Sequence, residues 1–433
     1  MLNKLKKERH MGFSCAIVLL PFLYQYKGLG SVVSLGEILL AGTTFFELCN
    51  DGFKLKNVNK KLLLFYVLSM VSTGICLWLG YFDIGAAMTT GVRMLFYALV
   101  IVVARNNFNI EDVEKIYTVL VFAFSVYLLI QYVFHMMTGG YLPIYISSNL
   151  QFPPEARPSD LSIYYRWSFR SSSLFLEPGY YVFYVMPQVC ILIFKEQKSK
   201  FEISTLIITV VAVLFSTASA GIVALVIVLS VYLFGRANNQ TKYKFFLKTL
   251  ILVVAVAGVG VFFNYSDAAT LTLARLSNGG SVSNRLTRGF VIFSELPLFH
   301  QLFGVGLNNL ESYMLNYGMT TLYDEGNLNY VASVVQVLIY TGAIGWLSLV
   351  TFFGSLVQRV YKLTKGDQLK YHIYRSGALW AMLYLNIFIM CYEAAMYTYR
   401  FAFYMILLES LVKQYWKEKR RDENEGTDDR YST

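Results

Sequence analysis

Apolar windows of about twenty residues recur along nearly the whole chain, separated by short polar segments. Wound as a helix, such a window covers the ~30 Å hydrocarbon core of a bilayer. Inside lipid every backbone N–H and C=O must be satisfied within the protein, which leaves only helices or a closed barrel. The windows are continuous rather than alternating, and that selects helices. Only 15% of the 433 residues are charged, against roughly 25% in ordinary soluble domains. The predicted fold is all-α: a polytopic integral membrane protein, a single membrane domain over 1–433 with about 12 transmembrane helices. The spans fall near 11–26, 29–49, 62–80, 84–104, 115–137, 174–194, 203–217, 219–234, 249–263, 343–361, 374–392 and 398–415. The apolar stretch 203–234 is too long for one span; Ser216-Thr-Ala-Ser-Ala-Gly221 divides it into two as a tight hairpin of small residues.

The cations are sorted between the two sets of loops. Of 37 Lys and Arg, 28 fall in one set (20 Lys, 8 Arg), 7 in the other, and Arg93 and Arg400 lie inside spans. Excess Lys and Arg marks the cytoplasmic face. Both termini, including the tail 416–433, are therefore expected in the cytoplasm, in a multi-pass protein of the cytoplasmic (plasma) membrane. The run Lys4, Lys6, Lys7 and Arg9 before Met11 has no small-x-small cleavage pattern after it, and is read as the flank of an uncleaved first span. The net charge of +10 sits beside span ends, where it faces anionic lipid and not nucleic acid. The five cysteines fall in spans without a CxxC, and the four histidines are scattered. No metal or cofactor is expected from such spacing.

The sparsely charged side carries Lys27 and six arginines: Arg157, Arg166, Arg170, Arg275, Arg285 and Arg288. These arginines lie in two long outer loops, 138–173 and 264–342, three in each. Loops of that length are commonly functional, and their aromatic and apolar content suggests folded caps. A guanidinium fork matches phosphate and carboxylate better than an ammonium does. Six arginines with almost no lysine therefore point to an anionic substrate at the outer membrane surface. Arg166-Trp167-Ser-Phe-Arg170 leads through Ser171–Ser173 to Phe175-Leu-Glu177-Pro178 at the head of a span. Glu177 is expected to cap that helix, to order the arginines, or to accept a proton from a substrate hydroxyl. Arg285 and Arg288, three apart, share a face if their segment is helical. Inside the membrane, Glu37 is the expected partner of Arg93, and Glu409 is expected to pair or to snorkel. His300 reads as an ordinary loop histidine, Asp324-Glu325 as a capping pair, and Tyr180 and Tyr181 as interface aromatics.

These pieces together resemble the O-antigen polymerase and ligase superfamily of bacterial membrane glycosyltransferases. The resemblance rests on Arg170…Phe175-x-Glu177-Pro178; on the hairpin Ser216–Gly221; on Ser283-x-Arg285 followed by Pro297-Leu-Phe-x-x-Leu-Phe-Gly304-Val-Gly306; and on Asn329…Gln336…Gly342-Ala-Ile-Gly345. It covers residues 166–361 in the family's order. It implies a repeat-unit oligosaccharide on undecaprenyl pyrophosphate as substrate, with no nucleotide sugar and no metal. A chain-length regulator and a flippase are the partners such an enzyme would meet. Leu328 stands where ligases carry a histidine before Asn329, which favours a polymerase. Ala218 and Ser219 stand where family members often have an arginine, so the hairpin is not expected to touch phosphate. The expected site is then Glu177, Arg170, Arg285 and Arg288 at the reacting centre, with Arg166, Arg275, Asn329 and Trp167 binding substrate. The competing readings are a ligase, which differs in its acceptor, a polysaccharide flippase or secondary transporter, and a non-catalytic scaffold. A transporter predicts central charges and two related halves, and the sequence shows no internal repeat.

Overall fold

The computed structural model describes residues 2–29, 33–53, 55, 58–80, 84–147, 150, 170–234, 282–316, 331–365, 372–392 and 394–428; the side chains of 2–9, 234, 282–286, 372–375 and 421–428 are outside that description. Fourteen helices account for nearly all of these residues: α1 Leu2–Leu23, α2 Leu35–Asn50, α3 Lys60–Trp78, α4 Ile84–Asn107, α5 Ile110–Thr138, α6 Pro178–Phe194, α7 Lys200–Phe215, α8 Ser219–Phe234, α9 Val282–Glu295, α10 Leu298–Phe303, α11 Leu310–Asn316, α12 Ser333–Thr364, α13 His372–Tyr392 and α14 Tyr399–Asp428. Four of them, α3, α4, α5 and α12, are long and apolar enough to cross a membrane; His10–Leu23, Pro178–Phe194, Ser219–Leu233 and Ser376–Tyr392 are shorter apolar helices. The α3–α4 face leaves Leu63, Leu64, Val67, Val71, Trp78, Met88, Val92 and Leu95 exposed. An apolar surface of that extent is what lipid covers. Of the twelve expected spans, 249–263 lies outside the described residues.

Helix α6 is the axle of the bundle. Its sequence is apolar on every face, as a fully enclosed helix requires, and nearly every residue from Tyr181 to Phe194 is buried. Helices α1, α5, α7, α8, α13 and α14 surround it. Pro187 removes a backbone donor inside α6 and leaves the carbonyl of Phe183 without its helical partner. The Tyr404 hydroxyl of α14 donates to that carbonyl at 2.8 Å. In a dry interior this bond matters, because an unmade backbone hydrogen bond costs about 1–3 kcal/mol.

The division of 203–234 is as expected. Helix α7 stops at Phe215, and α8 begins at Ser219. Gly221 lets α8 close on its neighbours: a Cβ there would press on Val213 of α7 and Val182 of α6. Helix α12 is two helices joined at a break, with Gly342 at φ +66°. The break frees the carbonyls of Ile339 and Tyr340. They accept from Val305 N at 2.9 Å and Gly306 N at 3.0 Å in the turn after α10. The Ser72 hydroxyl of α3 adds a bond to Tyr340 O at 2.8 Å, and Thr73 Oγ1 accepts from Leu307 N at 3.1 Å. Backbone carbonyls freed inside a protein need partners of this kind. The described part of 264–342 is thus a folded helical cap on α3, α12 and α13.

Among the described residues, Glu37 and Glu409 each hold arginine side chains within the bundle. Glu37 completes a capping box with Ser34 at the start of α2 and also accepts from Arg93 Nε at 3.1 Å and Tyr97 Oη at 2.8 Å. Glu409 is held by Arg359, both contacts 2.8 Å, and by Arg105 at 3.5 Å. Removing one member of a buried pair strands the other charge, at a cost of about 3–5 kcal/mol. Arg93→Leu is expected to lower Tm in detergent by several degrees. The double variant Arg93→Leu/Glu37→Gln is expected to recover most of that loss, so equal Tm values for the two variants would show the pair to be uncoupled.

Candidate functional site at the α6–α14 head

Arg170 projects from a segment locked to the bundle. Ser171, Ser172, Ser173 and Phe175 are all buried. The Gln131 side chain of α5 grips Ser173 from both sides, accepting from its N–H at 2.8 Å and donating to its carbonyl at 3.0 Å. Ser173 Oγ donates to Phe124 O at 2.7 Å, and the Gln25 amide donates to Leu174 O. Phe175 enters an aromatic cluster with Phe22, Phe124, Tyr181 and Tyr184. A segment tied at so many points gives its arginine little freedom to wander.

The Arg170 Nε donates to Thr217 Oγ1 at 3.3 Å. Thr217 is the corner of the α7–α8 hairpin and has φ +53°; Ser173, three residues after Arg170, has φ +58°. A β-branched residue there is uncommon. Such strain costs about 1–3 kcal/mol and gathers where a site needs a fixed geometry. The hydroxyls of Ser171 and Ser172 are buried without a hydrogen-bond partner. Unsatisfied polar groups of that kind are rare in native interiors. Here they flank the arginine that carries the anion hypothesis.

Glu177 is the N-cap of α6, with Pro178 in the first helical position; its backbone is extended (φ −134°, ψ 147°) and its carboxylate makes no capping bond. It stands one residue before the first turn, not within it. Its carboxylate is therefore not engaged as an ordinary cap. One turn along α6, the ring of Tyr180 lies 3.9 Å beneath the Arg400 guanidinium. Arg400 is the second residue of α14, and Tyr399 beside it stacks on Tyr24 at 4.2 Å between centroids. Arginine, tyrosine and carboxylate thus alternate across this end of the bundle, a composition suited to a sugar with an anionic group.

Arg288 stands at the same end. Gly289 lets α9 press against Val331 and Val335 at the start of α12. In that first turn of α12, Ser333 Oγ accepts from Ala395 N and, at 3.0 Å, from Met396 N, just ahead of α14. On the other flank, Ser219 and Tyr392 hydroxyls meet at 3.0 Å, tying the hairpin beside Arg170 to the end of α13. Arg170, Glu177, Arg288 and Arg400 therefore lie at the same end of the bundle. Arg285 lies one turn before Arg288 on α9, where the backbone alone is described. Arg157, Arg166, Trp167, Arg275, Asp324, Glu325 and Asn329 lie outside the described residues. Among the described residues, no three His, Cys, Asp or Glu side chains gather as a metal site would need.

Two sequence expectations change. His300 is not a loop residue: it is buried on α10, with Nδ1 2.8 Å from Gly304 O and its ring 4.8 Å from Tyr313. Tyr181 is not an interface aromatic but is fully enclosed, its hydroxyl 2.8 Å from Ser125. At the hairpin, Thr217 meets Arg170. Arg400 was legible as a charge at a span head, but its service to this end of the bundle was not. No known family model matches the chain, and no curated protein is detectably similar to it in sequence.

Proposed function

We propose that this chain is a polysaccharide polymerase of about twelve spans, acting on lipid-linked repeat units at the outer face of the cytoplasmic membrane. The observation that carries the reading is the mounting of Arg170. It is fixed by a buried segment on one side and by Thr217 on the other, beside two unpartnered hydroxyls and the N-cap residue Glu177 of α6. Arg170, Arg285 and Arg288 hold the donor diphosphate, with Arg166 and Arg275 in support and Trp167 and Asn329 along the glycan. Arg400, over Tyr180, joins that set.

In the proposed reaction an acceptor hydroxyl oxygen attacks the anomeric carbon of the donor. The bond from that carbon to the diphosphate oxygen breaks. Undecaprenyl pyrophosphate leaves with the electron pair, and its developing charge falls on the arginines, where fixed cations act most strongly. The acceptor proton passes to the Glu177 carboxylate and then to water. Nothing is oxidised or reduced.

The direct test supplies the purified full-length chain, in liposomes, with a lipid-linked repeat unit. The expected result is a ladder of lipid-linked products spaced by one repeat. Transfer to a terminal acceptor without a ladder would make it a ligase. Movement of the lipid-linked unit across the bilayer with no new glycosidic bond would end the enzyme reading.

A further inference from the structure

At the opposite end of the bundle from Arg170 two hollows run into each other. One, about 370 Å3, is lined by Lys60, Lys61, Arg105 and Arg359 together with Val58, Asn59, Ser355 and Leu356. The other, about 300 Å3, lies between α3, α4 and α14 and is walled by apolar side chains such as Leu62, Leu63, Tyr66, Leu99, Val102 and Met405. Val58, Asn59 and Arg105 belong to both, so the basic hollow opens onto the apolar groove.

We propose that this joined hollow is a binding site for one anionic phospholipid of the surrounding bilayer, its phosphate among Lys60, Lys61, Arg105 and Arg359 and one acyl chain along the α3–α4–α14 groove. The inference requires only that the chain sits in a bilayer, and stands apart from the polymerase reading.

Charge argues for the headgroup. The two hollows are lined by four cations and one carboxylate, Glu409, so three positive charges (4 − 1) are left over. Glu409 engages Arg359 and Arg105. Lys60 and Lys61 are exposed, and neither has an ionic partner among the described residues. Their placement sharpens the point. They are the first two residues of α3, a helix with no acidic residue in its first turn. A helix N-terminus carries partial positive charge and repels cations. Two lysines there gain from an anion beside them; Asn59 already caps the N–H groups of Lys61 and Leu62, so the lysine ammonium groups supply the attraction. Basic recesses between spans at the lysine-rich membrane face suit lipid phosphates.

Continuity argues for the tail. A soluble phosphate compound would use the basic hollow and leave the groove empty. A lipid uses both, and the exposed Leu55, Leu63 and Leu95 at the groove edge already face the bilayer. Lateral entry needs no opening of the bundle.

Native mass spectrometry of the full-length protein in a neutral detergent, with phosphatidylglycerol or phosphatidylcholine added, tests this. The wild type is expected to retain phosphatidylglycerol at least about tenfold over phosphatidylcholine, with one molecule per chain dominating. Lys60→Gln/Lys61→Gln alters two exposed side chains and is expected to cut that retention at least about fivefold without changing phosphatidylcholine. Ala98→Trp, which fills the groove and leaves the charges intact, is expected to do the same. Unchanged phosphatidylglycerol retention in the lysine variant would overturn the site, as would equal retention of both lipids by the wild type. Retention of a C55 isoprenyl phosphate that phosphatidylglycerol does not displace would overturn the phospholipid as its occupant.

Discussion

Arg170→Lys is expected to lower polymer output at least about a hundredfold while leaving Tm within about 2 °C of the parent. The charge survives this change; what is lost is the planar fork and its fixed direction. Removing one preorganised donor aimed at developing charge typically costs 10²–10³ in rate. Stability should hardly move, because Arg170 is only half-buried and the locking bonds belong to Ser173, Gln131 and Leu174 rather than to its own side chain. Thr217 acts through Arg170. Thr217→Val keeps the β-branch but removes the oxygen that accepts from Nε, and should cost about tenfold. Thr217→Ser returns that oxygen and should restore most of the activity, a rescue that a packing role would not produce. Arg288→Lys on α9 should match Arg170→Lys if both loops grip one diphosphate. The measurement is the rate of ladder formation in liposomes, with chain-length distribution as a second readout. A normal rate for Arg170→Lys would remove the central support of the polymerase reading.

How far these features could be read beforehand depends on the distance along the chain over which each is written. Local chemistry was plain. The split of 203–234 follows from small residues between two apolar runs, whereas the capping box Ser34-x-x-Glu37 that starts α2 at Leu35 lies inside the span expected over 29–49. The break at Gly342 lies where a glycine interrupts an otherwise helical pattern. The Arg93–Glu37 pair was reachable too, because a charge inside a span needs a partner and few are on offer. What was hidden depends on helices that meet only after folding. Thr217 and Arg170 are 47 positions apart, and no periodicity links them. Tyr404 answers Pro187 from another helix, and Arg400 finds Tyr180 across the bundle. Sequence pattern gives each helix a buried face, but it does not say which helix that face will meet. This end of the bundle was therefore legible as a set of outer arginines, while the groups that hold Arg170 and extend the set were not.

Gly304→Ala and Gly342→Ala are expected to be the most damaging single methyl additions in the described residues, each leaving little or no monodisperse protein after detergent extraction. Both positions combine positive φ with ψ near 180° (+81°, −178° and +66°, −175°), a region essentially reserved for glycine, and holding an L-residue there costs about 1–3 kcal/mol. Space decides the rest. A Cβ on Gly304 would overlap the Tyr340 carbonyl, and one on Gly342 would overlap the Leu302 carbonyl. These are backbone atoms and cannot swing aside as a side-chain tip can. Relief would require pulling the turn after α10 away from the α12 break. The bonds from Val305 and Gly306 to Ile339 and Tyr340 would then be lost, and those carbonyls would be stranded in a dry interior. Gly139→Ala is the mild contrast: its φ +67°, ψ −1° is the left-handed helical region that an L-residue enters at roughly 1–2 kcal/mol, and a Cβ would meet nothing within 4 Å. It should lower Tm only modestly and keep a sharp size-exclusion peak. The two damaging changes strike one contact from opposite sides, so combining them should add little to either alone, as expected of coupled sites. If Gly304→Ala and Gly139→Ala gave equal yields and equal Tm values, the close docking of the two backbones would be wrong.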